Sequence, residues 1–154
     1  MRPLLALFAL LSVSVVAMAD VPPPYEDPDH ARAALAAGLS EAKVEHKEVL
    51  VVFGANWCED CRALDKAMHG SSAALISSHF VVVKINVGNF DANLDIASQY
   101  GNPIAKGIPA AVVITPTDQM LYTTKAGELA NARRMSEHGI YDFFSSVVVP
   151  QGSR

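Results

Sequence analysis

Two apolar runs constrain this chain most: EVLVVFGA at residues 48–55 and FVVVKINV at 80–87. Both are rich in β-branched residues, and neither alternates apolar with polar. A strand sends successive side chains to opposite faces, so an unbroken apolar strand must be covered on both. Helical spacing before, between and after the runs supplies the cover. Buried strands separated by helices predict an α/β fold, with a mixed central sheet of about four strands and helices on both faces. A chain of 154 residues fits one domain with a sizeable core.

In order, Asp27 reads as an N-cap with Pro28 at the first helical position. Leu35, Leu39, Ala42 and His46 then recur at helical spacing, predicting a helix over 28–46 that Gly38 weakens. A second helix is expected from Cys58 to Met68, stopped by Gly70, and a short third from Ser71 or Ser72 to Ser78. A fourth should cover 92–100 and close at Gly101. AAVVIT at 110–115 and MLYTTK at 120–125 flank Pro116-Thr117-Asp118-Gln119, a hairpin pattern. Helices over 128–134 and 137–148 follow, the last with Ile140, Phe143, Phe144 and Val147 as its buried stripe.

Residues 1–19 have the form of a secretory leader: Arg2, an apolar stretch from Leu4 to Val16, and Ala17-Met18-Ala19 as a cleavage site before Asp20. The apolar stretch falls short of the roughly 20 residues a spanning helix needs. The expectation is an exported, periplasmic protein cleaved near Ala19-Asp20, with no stable membrane insertion of the mature chain. Residues 20–27, with Pro22-Pro23-Pro24, read as a spacer, and 28–150 as the domain. Losing Arg2 takes the formal charge from −4 to −5, which invites neither nucleic acid nor an anionic membrane.

The chain has two cysteines, Cys58 and Cys61, in WCEDC where the first strand gives way to a helix. At that spacing the sulfurs lie one turn apart on one face, close enough for a small disulfide ring. Cys58 meets the unpaired N–H groups and positive dipole end of the helix, which favour thiolate; Cys61 should be more buried. Cys58 would attack a partner's disulfide and Cys61 would resolve the mixed disulfide. The same spacing forms half of a zinc site, but no second pair exists, and His30, His46, His69, His79 and His138 show no HxxxH spacing. No metal site is expected.

VLVVFGANWCEDC, the strand carrying Lys84, and KGIPAAVVI at 106–114 together resemble the thioredoxin superfamily, over residues 45–147. The resemblance implies a cis Ile108–Pro109 bond beside the cysteines, with Ile108 backbone groups turned to a bound peptide. A trans bond at a strand start is the plainer alternative. It further implies that Trp57 flanks the attacking cysteine and that Ala126-Gly127 complete the peptide groove. Three departures stand out. Glu59-Asp60 replace the Gly-Pro of thioredoxins, and their charge opposes a Cys58 thiolate, which predicts a more reducing pair. Val52 stands where the family has a buried aspartate, so Lys84 is expected to lack its mate and either to handle the Cys61 proton or to snorkel outward. The segment from Lys84 to Pro109 is also longer than in short thioredoxins, around Gly88–Asp91 and Gly101–Lys106.

The reading is a thiol–disulfide oxidoreductase acting on oxidised proteins in the cell envelope, in the reducing direction. It needs no cofactor, because the electrons reside on the sulfurs, and it implies a membrane-bound thiol donor. Two rivals are a soft-metal (copper) handling protein using the same pair and a non-catalytic peptide-binding module.

Overall fold

The computed structural model describes residues 22–148. The expected leader over 1–19, the first two residues of the expected spacer and the last two of the expected domain lie outside them. Asp27 accepts a hydrogen bond from Asp29 N (2.9 Å) and starts a 3-10 turn, Pro28–His30, that runs into α1 (Ala31–Glu45). The predicted single helix over 28–46 is thus two pieces. His46 is its left-handed cap and exposed, not part of the buried stripe. The stripe is Ala31, Gly38 and Ala42, with Leu35 and Leu39 half-buried beside it.

Gly38 is not merely a weak point. A β-carbon there would overlap Val83 Cγ2, so its absence lets α1 press directly onto the sheet. Strand β1 (Glu48–Gly54) is buried at every position. Helix α2 (Glu59–His69) follows, then α3 (Ala73–His79) and β2 (Phe80–Asn86). Ser72 occupies the N-cap position of α3, but its hydroxyl makes no capping bond and is buried. Helix α4 (Leu94–Gln99) is shorter than expected and begins at Asn93 in the left-handed region.

Strands β3 (Ala110–Ile114) and β4 (Met120–Thr123) form the expected hairpin, with a register shift between Val113 and Ile114. The predicted helix over 128–134 is instead turns and a 3-10 segment, Ala132–Arg134. Helix α5 (Glu137–Ser146) opens with the Ser136 hydroxyl accepting from Gly139 N (3.0 Å). Ile140, Phe144 and Val147 are buried, and Phe143 is half-buried.

Among the described residues the sheet has four strands, in the order β2-β1-β3-β4. β1 pairs with β2 in parallel, while β1–β3 and β3–β4 are antiparallel. Alternate residues of β1 divide the core. Val49, Val51 and Phe53 join the cluster with α1 and α4; Leu50 and Val52 join the one with α2, α3 and α5. This is why an unbroken apolar run was required. Each such side chain stabilises the fold by roughly 1.5–3 kcal/mol on full burial.

Candidate functional site

β1 ends at Gly54, and the chain turns through Ala55-Asn56-Trp57 into α2. The turn is closed by Cys58 N donating to Ala55 O (3.2 Å). Cys58 is the N-cap of α2, with extended backbone, so its side chain faces the first N–H groups of the helix. Cys58 and Cys61 are joined as a disulfide. Cys61 N lies 3.1 Å from Cys58 Sγ, a donor placed to stabilise a thiolate there. Cys61 is fully buried and Cys58 is 6% exposed.

Around the pair is an open cleft of about 510 Å³. The Ile108 carbonyl oxygen lies 3.7 Å from Cys58 Sγ on one wall, and the Ile108–Pro109 peptide is cis. On the opposite side Trp57 is 54% exposed, and its Nε1 donates to Gly88 O (2.9 Å). Phe90 stands beside it at 6.1 Å between ring centroids. The loop carrying Phe90 therefore contributes a wall to the cleft. Asn86 Oδ1 accepts from Gly88 N and Asp91 Oδ1 from Asn89 N, so the loop is tied down while Phe90 remains exposed. Phe90 has φ 63°, a left-handed conformation that a bulky residue adopts only under constraint.

The acids between the cysteines are not left alone. Asp60 Oδ1 accepts from Arg133 N (3.0 Å), and the Arg133 guanidinium pairs with Glu59 and approaches Asp60. One cation thus faces two carboxylates beside Cys58, which corrects the expectation of unopposed acid charge. Arg133 lines the cleft and carried no signal in the sequence, because its partners are more than seventy residues away.

Lys84 also differs from expectation. Its ammonium pairs with Asp65 of α2, so it has a mate although Val52 cannot supply one. Val52 is buried with Leu64 in the core beneath α2. Ala126 and Gly127 do not line the cleft. Gly127, at φ 76°, packs on the Lys106 backbone at the start of the segment leading to Ile108. The Glu128 carboxylate accepts from Lys125 N and Ala126 N at 3.0 Å and holds that turn.

The largest surprise is the proline segment. It is docked rather than a free spacer: Tyr25 is 2% exposed. Tyr25 N donates to Asn56 Oδ1 (3.0 Å), and Asn56 Nδ2 donates back to Tyr25 O (2.7 Å). Asn86 Nδ2 reaches Glu26 O and Asn93 Nδ2 reaches Pro28 O. Isolated asparagines have no spacing to read, so this strap was missed.

The sequence profile of the family described as thioredoxin-like matches residues 30–116, more than half of the chain. The chain belongs to the thioredoxin-like family. A crystal structure described as a disulphide isomerase from Xylella fastidiosa Temecula1 is 52% identical, covers 84% of this chain and 99% of its own, and superposes with a TM-score of 0.79. The germline-specific thioredoxin Deadhead of Drosophila melanogaster is 22% identical over 78% of this chain and 91% of its own, at a TM-score of 0.47. No curated protein matches. With its CxxC disulfide at the head of α2, this thioredoxin-like protein is a thiol–disulfide oxidoreductase. Among the described residues, no helix is long and apolar enough to cross a membrane.

Proposed function

We propose that the protein reduces or rearranges disulfides of other proteins in the cell envelope, with Cys58 as nucleophile and Cys61 as resolver. One observation carries the assignment of roles: the Cys61 N–H aimed at Cys58 Sγ from 3.1 Å, which favours thiolate at Cys58 alone. The Cys58 thiolate attacks a substrate disulfide, forming a mixed disulfide and releasing one substrate sulfur. Cys61 releases its proton to water and attacks Cys58 Sγ. The Cys58–Cys61 bond forms, the Cys58–substrate bond breaks, and the departing sulfur takes a proton from water. Two electrons pass from the protein to the substrate.

The cleft suits an extended peptide. Ile108 backbone groups offer hydrogen bonds, Pro109 holds that wall, and Trp57 with Phe90 offers apolar surface. Gly127 would support the groove through Lys106, and Ala126 through the turn that Glu128 holds, rather than touch substrate. The excess of two carboxylates over one guanidinium still disfavours the Cys58 thiolate, though less than unopposed acids would, which supports a moderately reducing pair. Isomerisation also starts from a reduced Cys58, and the 52% identical relative is described as a disulphide isomerase. The leader reading at residues 1–19 supports the periplasm, where a membrane-bound thiol donor would have to resupply electrons.

The test is to express Cys61→Ser in the native compartment and identify what is held on Cys58. Trapped oxidised proteins, released by reductant, are the expected outcome. An empty trap together with stoichiometric copper in the wild-type protein would favour the metal-handling rival. Equilibration with glutathione checks the direction, and a potential as high as that of a dedicated oxidant overturns the reductase reading.

A further inference from the structure

Tyr25 is a buried titratable group for which disulfide exchange as described above has no use. Its backbone is clamped by Asn56, the residue before Trp57, which drives the ring under the end of β1. There Gly54 makes room for it. A β-carbon on Gly54 would overlap the Tyr25 hydroxyl and would lie 3.0 Å from Cys61 Sγ. Hydroxyl and sulfur therefore flank one point in the core. Tyr25 and Cys61 share one core cluster, whereas Val52 lies in the other. Burial first, and then the Asp65 carboxylate, push the Tyr25 phenol well above its ordinary value, so it stays a donor at every working pH.

We propose that the Tyr25 hydroxyl donates a hydrogen bond to the Cys61 sulfur once the disulfide opens, and thereby sets the acidity of the resolving thiol. The proposal deepens the assignment of Cys61 as resolver and rests on it. A thiol buried among apolar groups is held protonated and inert, whereas a donor to its sulfur favours the thiolate. Cys61, fully buried, needs such a donor. The charged groups nearby are Asp65 of α2 and Lys84 of β2, which pair with each other. On the strap, Glu26 pairs outward with His30 (3.4 Å). The strap thus gives the resolving cysteine a neutral donor.

The experiment compares wild type with Tyr25→Phe, which keeps the ring and loses only the hydroxyl. The Cys61 Cβ carbon shift is followed by NMR in the reduced proteins across about pH 6 to 10, the thiol range. In parallel, acid-quenched mass spectrometry follows formation and resolution of the mixed disulfide with a model peptide disulfide. The expected result is a higher Cys61 titration midpoint in Tyr25→Phe. Resolution at neutral pH should be about threefold slower for each unit of that rise, tenfold fewer thiolates being partly offset by greater nucleophilicity. Attack by Cys58 should be unchanged, and the deficit should vanish at high pH, which lost packing alone would not produce. An unchanged Cys61 midpoint overturns the inference, whatever the turnover. A shifted midpoint in a protein that forms no mixed disulfide upholds the hydrogen bond and overturns the exchange mechanism instead. Should Tyr25→Phe melt early, 3-fluorotyrosine at position 25 retains the shape with a stronger donor and must lower the midpoint.

Discussion

Glu128 shows how a single side chain can shape the site without touching it. Burial pushes its carboxyl up, but the N–H groups of Glu128, Lys125, Ala126 and Gly127 more than offset this and hold it below its ordinary value. A carboxyl lowered in the folded state stabilises the fold above its unfolded value of 4.5, and this contribution is lost as pH falls through the folded value. Glu128→Gln should therefore melt about 2 °C below wild type at neutral pH, the exposed site being largely screened, and match it in acid. Melting curves across pH check this; a deficit that persists in strong acid would assign the effect to shape rather than charge. Arg133 acts on the same scale. Its guanidinium sets how much of the Glu59 and Asp60 charge Cys58 experiences, so the motif between the cysteines cannot be interpreted from its own residues.

At the scale of elements, α1 and β2 meet where a glycine removes the side chain between them. An alanine at position 38 would improve helix propensity by about 1 kcal/mol. It would also drive a methyl group into Val83, and overpacking of that kind costs about 1–3 kcal/mol. The expected net effect of Gly38→Ala is a loss of about 1 kcal/mol, seen as a lower urea midpoint with an unchanged slope. A gain in stability would mean that β2, an edge strand paired only with β1 among the described residues, can yield to the helix. The Gly88–Asp91 loop illustrates the opposite case, a surface segment whose own hydrogen bonds hold Phe90 exposed beside Trp57.

Across the whole molecule, the strap from Pro22 to Asp27 is tied to the fold through Asn56 and Asn86, Asn93 holds the turn that follows at Pro28, and the strap's one aromatic ring lies near Cys61. Tyr25→Ala should cost about 3 kcal/mol and expose the strap to proteolysis, whereas Tyr25→Phe should cost far less. Thermal melts and limited proteolysis of the pair check this, and equal costs would assign the stability to the hydroxyl rather than the ring.

By itself the sequence determined the layered α/β class, the positions of the four described strands and the redox pair Cys58–Cys61 at the head of a helix. Each of these rests on local quantities: unbroken apolar runs need cover on both faces, and a helix start polarises the residue at its head. Tertiary structure alone decided that Lys84 meets Asp65, that Arg133 answers Glu59 and Asp60, and that a supposed spacer places Tyr25 beside Cys61. Those partners lie far apart in the chain or have no periodicity. Their pairing is dictated by which faces the packed sheet brings together, and no short-range pattern records that.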